Sequence, residues 1–147
     1  MAEEKFDLEQ AEKFLPRLEY LLRNVAEARK RVSEIEQEYE CLVKSIFRSG
    51  GRSVDIPHFS RRKKEKEEWE GCLRRSVLEI EGHGCLLKDL DTGLVDFPCR
   101  VGDREVYLCW RLGEPAIQFW HGTDEGFAGR KPIDEQFVAQ LKRPRPV

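Results

Sequence analysis

Apolar residues in the first third of the chain recur at alternating spacings of three and four residues. They occupy twelve positions from Leu8 to Ile46, which is the heptad pattern of a helix with one apolar seam. An extra step of three residues near the middle makes a single stammer. The pattern predicts a long helix that ends at Gly50-Gly51, and its seam consists of Leu8, Ala11, Leu15, Leu18, Leu22, Val25, Ala28, Val32, Ile35, Tyr39, Leu42 and Ile46.

The start of this helix carries its own signals. Asp7 followed three residues later by Gln10 is typical of a capping box, with Asp7 as the N-cap. Pro16 lies inside the pattern, and a proline removes one helical hydrogen bond and clashes with the preceding turn. We therefore expect a kink or a break near Lys13–Leu15.

A second helix is predicted from about His58 to Glu81. Pro57 suits its first turn, and apolar residues then recur at helical spacing at Trp69, Leu73, Val77 and Ile80. The two helices form an antiparallel helical hairpin. Because the second helix is the shorter one, we expect part of the seam to pack on the second half of the chain or on another copy.

The second half alternates apolar and polar residues, which indicates antiparallel strands. Gly102-Asp103 between two such runs is a two-residue hairpin signal. The hairpin predicts one apolar face and an Arg100–Glu105 pair on the other. The apolar face pairs Val101 with Arg104, Cys99 with Val106, Phe97 with Leu108 and Val95 with Trp110.

Two further strands extend this hairpin into a meander. A turn at Asp91-Thr92-Gly93 sets Leu87 opposite Phe97, and a loop at Leu112–Pro115 sets Phe119 opposite Leu108. The predicted strands cover about 85–90, 94–101, 104–112 and 116–121. A short helix should follow, with an apolar side formed by Ile133, Phe137 and Leu141.

These elements predict an α+β fold in a single domain, 1–147. A long N-terminal antiparallel helical hairpin, 1–81, packs on a four-stranded antiparallel β-meander with a glycine-rich loop, 82–133. A short C-terminal helix and tail complete the chain, 134–147.

Charge distinguishes the two halves. Charged residues make up 37% of the chain, but about 43% of residues 1–81 and about 29% of residues 82–147. The net charge of -2 makes a nucleic-acid partner unlikely on electrostatic grounds. No apolar run is long enough to span a membrane, and five cysteines without an export signal indicate a reducing, cytoplasmic location.

The run Arg61–Lys66, with Arg74 and Arg75 beyond it, is the strongest local concentration of positive charge. Four glutamates between 65 and 70 offset it, so a solvated helix face is favoured over a nucleic-acid stripe.

Candidate chemistry lies on the second sheet face and in the loop 121–130. Polar and aromatic side chains are interleaved there, as a binding surface requires. No metal, phosphate or nucleophile motif occurs, so neither a metal nor a cofactor is predicted and no catalytic residue is assigned. The alternatives are a solvated sheet face and a structural cap, with Phe127 in the core and Arg130 paired to a carboxylate. The candidate binding residues are Asp96, Tyr107, Arg111, Trp120, His121, Asp124 and Arg130.

Two segments carry a family resemblance: FDLEQAEKFLPRLEYLL and LLKDLDTGLVDFPCRVGDREVYLCWRLGEPAIQFWHGTDEGFAGRKPI. They resemble the uncharacterised prokaryotic family called domain of unknown function 2203, over roughly 6–24 and 82–133. The resemblance implies no activity, cofactor or catalytic residue, and some relatives bear the label "division initiation protein". The matching positions include Asp89, Asp91, Gly93, Asp96, Phe97, Pro98, Trp110, Arg111, Gly113, Glu114, Trp120, His121, Gly126, Phe127, Gly129 and Arg130.

Two function hypotheses follow. The first is a non-enzymatic interaction or scaffold protein that forms a homodimer through its helical half, motivated by the long seam. The second is a small-molecule or anion-binding protein, which could be an enzyme, with its site on the polar sheet face and the 121–130 loop. The second predicts a concave pocket where the candidate side chains converge.

Overall fold

The order of helices and strands along the chain is that of an α+β protein. A computed structural model describes residues 6–141. Its helices are α1 (Leu8–Ser49), α2 (Ile56–Gly82) and α3 (Glu135–Leu141). Its strands are β1 (Leu86–Asp89), β2 (Leu94–Val101), β3 (Arg104–Arg111), β4 (Phe119–Gly122) and β5 (Lys131–Pro132), and a 3₁₀ turn spans Phe127–Gly129. The predicted fold class is confirmed, although the sheet has five strands where four were expected.

The capping box at the start of α1 is formed as predicted. The backbone N–H of Gln10 donates to Asp7 Oδ1 at 2.7 Å, and the backbone N–H of Asp7 donates to Gln10 Oε1 at 3.1 Å. Of the kink or break expected near Lys13–Leu15, the break is wrong, because α1 continues through Pro16 as one helix. A proline removes only one backbone donor, and the buried side chains of the next turn, Leu18 among them, stabilise the helix across it.

The described chain divides into two compact units. One is made of Arg23–Ser76, and the other combines the described residues on either side of it, 6–22 and 77–141. In the first unit, α1 packs on α2, with the Tyr39 hydroxyl donating to the Phe59 carbonyl at 2.9 Å.

All twelve seam positions are buried or half-buried within the single chain. Ala11, Leu18 and Leu22 belong to the core that α1 shares with the sheet, so this part of the seam packs on the second half of the chain. The N-terminal part of the seam therefore packs on the sheet, which is one of the two partners expected from the sequence.

Two cations of the basic run on α2, Arg62 and Lys66, form ion pairs with neighbouring carboxylates. Arg62 pairs with Glu38 and Glu65, both at 2.9 Å, and Lys66 pairs with Glu36 and Glu70 at 3.4 and 3.7 Å. None of the helices within residues 6–141 is long and apolar enough to cross a membrane.

The sheet is a meander in the order β1-β2-β3-β4-β5, with every pair antiparallel. The predicted β2–β3 register is confirmed at all five pairs named from the sequence. Gly102 has a φ of 61° in the hairpin turn, a left-handed conformation that glycine adopts without steric cost.

Both outer registers differ from prediction. Leu87 lies opposite Val95 rather than Phe97, and the pairing is irregular between Leu87 and Asp89. Leu108 lies opposite Trp120 rather than Phe119. The connection before β4 is longer than the predicted four-residue loop, since Ile117 precedes the strand and is buried in the core.

The predicted C-terminal helix is confirmed as α3. The carboxylate of Asp134 caps it by accepting from the backbone N–H of Phe137 at 2.8 Å. The Phe137 ring stacks on Trp120 at a centroid distance of 4.9 Å, which anchors α3 to the apolar face of the sheet. The tail predicted for 142–147 lies outside the described residues.

Candidate functional site

Three side chains with metal-binding or acid–base chemistry meet on the polar face of the sheet. Asp96 lies on β2 directly opposite Cys109 on β3, and His121 lies on β4 beside them. All three are buried, with exposed fractions of 2% for Asp96, 0% for Cys109 and 2% for His121. We refer to Asp96, Cys109 and His121 as the buried triad.

Both ring nitrogens of His121 are engaged. Nδ1 lies 2.9 Å from the carbonyl oxygen of Gly122, and Nε2 lies 3.0 Å from Asp96 Oδ1. A carbonyl oxygen can only accept, so Nδ1 carries a proton and donates it. The Nε2 contact needs one further proton, carried by either the imidazole or the carboxyl group. In both arrangements the Asp96–His121 pair has no net charge, which fits its burial.

Cys109 is held as a neutral thiol. Removal from water disfavours the thiolate, and the negative charge of Asp96 disfavours it further, so the pKa of Cys109 rises to about 12. A thiol in this state is a poor nucleophile. The triad on its own is therefore not arranged like a cysteine–histidine catalytic pair.

A cavity of about 290 Å³ opens beside the triad, and we call it the polar-face cavity. Its size is near the lower end of the range usual for small-molecule sites. The ammonium group of Lys88 lies 5.8 Å from the centre of the Tyr107 ring at its wall. The lining combines charged, hydroxyl and apolar side chains: Lys88, Leu94, Asp96, Tyr107, His121, Thr123, Glu125, Gly126 and Phe127.

Glu125 fixes the loop that borders this cavity. Its Oε1 forms a short contact with Lys131 Nζ and accepts from the backbone N–H of Gly122 at 3.0 Å. These two interactions, with Lys131 the larger, lower the pKa of Glu125. A Cβ at Gly129 would lie only 2.9 Å from the Cβ of Glu125, so the close approach of these two residues requires glycine.

Arg130 has a structural role beside the same loop. Its guanidinium carbon is 4.1 Å from the centre of the Phe119 ring and 4.7 Å from that of Phe127. Its Nη2 donates to Glu114 Oε1 at 2.6 Å and to the Cys109 carbonyl at 3.2 Å. The carboxylate partner expected for a capping role is thus present. The expected burial of Phe127 in the core is wrong, because 43% of that residue is exposed.

The structure brings together three of the seven candidate residues and places four elsewhere. Asp96, Tyr107 and His121 line the polar-face cavity, whereas Arg111 and Asp124 are exposed outside its lining. Trp120 was expected on the polar face, but the shifted β3–β4 register turns it toward Phe137 on the apolar face. Arg130 pairs with Glu114 and does not line the cavity.

Cys109, Lys88 and Glu125 are not among the candidate residues predicted from the sequence. The predicted β2–β3 register is correct and sets Cys109 opposite Asp96. The strand pairing alone was therefore enough to find Cys109 as a neighbour of Asp96. His121 could not be joined to them, because side chains alternate between faces and the predicted β4 register was off by one residue. A second cavity of about 670 Å³ adjoins the first and shares Lys88 and Tyr107 with it.

The fold and the site define an α+β protein with a buried polar cluster beside a small cavity. The chain belongs to the family described as "Uncharacterized conserved protein (DUF2203)", which matches residues 4–133. The family resemblance of the sequence is thereby confirmed. Neither the curated proteins nor the solved structures contain a significant match to this chain.

Proposed function

We propose that this protein binds a small organic anion in the polar-face cavity. The observation that carries the proposal is the charge balance around the cavity. The Asp96–His121 pair has no net charge, and the charge of Glu125 is compensated by Lys131. Lys88 also lines the cavity, and it has no ion-pair partner within residues 6–141. An excess of one positive charge is left to attract an anion.

The other lining groups fit the body of such a ligand. The rings of Tyr107 and Phe127 and the side chain of Leu94 supply apolar contact area. The hydroxyl groups of Thr123 and Tyr107 offer hydrogen bonds that would fix its orientation. A carboxylate or phosphate on a small apolar body matches this combination of groups.

Binding is favoured over catalysis by the state of His121. A histidine acting as general base needs one ring nitrogen free to reach the ligand. Here Nδ1 donates to Gly122, and Nε2 faces Asp96. The proposed activity is therefore recognition of the anion without acid–base chemistry by His121.

Benzoate is a suitable probe, with uncharged benzyl alcohol as its comparison, in ¹H–¹⁵N NMR titrations of the full chain. We expect saturable shifts for the amides of Tyr107, His121 and Gly126 with benzoate and weaker shifts with benzyl alcohol. Lys88→Gln should weaken benzoate binding by about tenfold, the typical worth of one charge-assisted hydrogen bond. Lys64→Gln, an exposed lysine on α2, is the matched control and should leave binding unchanged. Shifts that do not saturate, or equal effects of the two variants, would contradict the proposal.

A second candidate function is self-association through the helical half. Val43 and Phe47 lie one turn apart on the same side of α1, with exposed fractions of 48% and 83%. Exposed apolar neighbours of this kind favour a protein contact. We propose a second copy of the chain as the partner, forming a homodimer that acts as a scaffold.

Sedimentation velocity at micromolar concentration tests this dimer. The wild-type protein should sediment as a dimer, and Phe47→Lys should shift it to the monomer. Leu78→Lys is the matched control, since Leu78 is another exposed apolar residue (61%) but lies in the other unit. A monomeric wild type at all concentrations would eliminate this candidate.

A further inference from the structure

We propose that the buried triad binds one divalent transition-metal ion of the zinc class. Asp96, Cys109 and His121 come from three neighbouring strands and offer a carboxylate, a thiol and an imidazole. Sulfur and imidazole nitrogen are the ligands that zinc and similar ions prefer, whereas calcium and magnesium prefer oxygen alone. The ligand set therefore selects a transition metal.

The distances within the triad suit a single ion. The three ligand atoms all lie within 4.8 Å of one another. Tetrahedral zinc with bonds of about 2.0–2.3 Å places its ligands roughly 3.3–3.8 Å apart. We expect side-chain rotation to bring the three atoms to those separations.

The orientation of His121 is that of a metal ligand. A histidine that binds a metal through one nitrogen usually donates its other N–H to a carbonyl or carboxylate, which fixes the ring. Nδ1 of His121 does this with the Gly122 carbonyl at 2.9 Å and so directs Nε2 into the triad. The backbone of β4 thus selects the nitrogen that faces Asp96 and Cys109.

Charge balance also favours the ion in this buried place. Without metal, the triad holds one carboxylate charge, one proton shared between Asp96 and His121, and a neutral thiol, for a net charge of zero. A divalent ion would take the place of that shared proton and of the Cys109 proton, both of which leave to solvent. The net charge stays at zero, so metal binding adds no unpaired buried charge.

The polar-face cavity gives the ion an accessible side. Asp96 and His121 line that cavity, whereas Cys109 is not part of its lining. Three protein ligands leave one tetrahedral position, which water or an anion in the cavity would fill. The metal site does not depend on the proposed anion, and a titration with metal alone tests it separately.

Cobalt(II) is the probe, added to the full-length protein after removal of metal with a chelator. We expect one Co²⁺ per chain, with a thiolate-to-cobalt charge-transfer band and the visible d–d bands of a tetrahedral site. Zn²⁺ should displace it and raise the melting temperature of the wild-type protein. Absence of saturable Co²⁺ and Zn²⁺ binding would overturn the proposal.

Cys109→Ala and Cys99→Ala form a matched pair, because both cysteines are fully buried on adjacent strands. Cys109→Ala should abolish the charge-transfer band and lower the Zn²⁺ affinity by at least about tenfold, while Cys99→Ala keeps both. If Cys109→Ala does not fold, Asp96→Asn replaces it as the test variant, because it preserves the shape of the side chain. It should also lower the affinity by at least about tenfold. Two results would show that the triad is only a structural hydrogen-bond network. One is an unchanged Zn²⁺ affinity in whichever of Cys109→Ala and Asp96→Asn folds. The other is loss of the charge-transfer band in Cys99→Ala but not in Cys109→Ala.

Discussion

Asp96 Oδ1 lies 3.0 Å from His121 Nε2, and both side chains are only 3% exposed. The pair joins β2 to β4 across β3 and so connects strands that are not hydrogen-bonded to each other. A buried pair of this kind adds little net stability compared with apolar residues of equal size. Removing one partner alone is costly, since the other polar group is left without compensation.

Truncation of Asp96 should therefore destabilise the protein strongly. We expect Asp96→Ala to lower the free energy of unfolding by about 3–5 kcal/mol, because Nε2 of His121 loses its hydrogen-bond partner. Asp96→Asn should cost less, since the amide can donate to a neutral Nε2. Urea denaturation followed by circular dichroism measures both. Asp124→Ala removes an exposed carboxylate of the neighbouring loop and should change stability by no more than about 0.5 kcal/mol.

The five cysteines should separate into two classes in a labelling experiment. Cys41 is exposed and Cys72 partly exposed, whereas Cys85, Cys99 and Cys109 are buried. We expect N-ethylmaleimide at neutral pH to modify Cys41 rapidly and Cys72 more slowly, because reaction requires an accessible thiolate. Mass spectrometry of the native protein counts the labels, and all five should react in concentrated guanidinium chloride. Rapid native labelling of Cys109 would contradict the burial of the triad.

Alkaline pH should weaken the fold through the buried thiols. Burial raises the pKa of Cys85 and Cys109 to about 12 and that of Cys99 to about 11, compared with 9.0 for an exposed thiol. The folded state thus favours the protonated thiols. The stabilisation of the folded state that results is fully present below pH 9.0. It is lost as the pH rises from about 9 to about 12, because the unfolded chain ionises first.

The measurement is the urea midpoint as a function of pH. Cys109→Val removes one of these ionisable groups while keeping a small apolar side chain. The stability of this variant should therefore fall less steeply above pH 9.0 than the stability of the wild type. Cys41→Val, at an exposed position, should follow the wild-type curve. Parallel curves for Cys109→Val and the wild type would show that this thiol does not contribute.

The stacking of Phe137 on Trp120 should hold α3 to the sheet. Phe137 is 4% exposed, and its replacement by alanine leaves a cavity against the Trp120 ring. We expect Phe137→Ala to lower the free energy of unfolding by about 3–5 kcal/mol. Leu78→Ala, at a position that is 61% exposed and outside the proposed dimer contact, should change it by no more than about 0.5 kcal/mol. Equal effects of the two variants in chemical denaturation would exclude this role for Phe137.

Local signals in the sequence determined the helices and the central hairpin. The capping box at Asp7 and Gln10 begins α1, and Gly102-Asp103 joins β2 to β3 in the predicted register. These features depend on residues that are close along the chain, so their spacing is enough to define them. The same β2–β3 register sets Asp96 beside Cys109 from the hairpin pattern alone.

Only the tertiary structure decided which residue of β4 lies beside Asp96 and Cys109. The connection from β3 buries Ile117 before the strand begins, and this moves the pairing by one residue. Because the side chains of a strand alternate between two faces, that single step takes Trp120 to the core and brings His121 to Asp96. The buried triad thus results from long-range packing that the sequence pattern does not encode locally. The chemistry proposed for it rests on that one-residue difference.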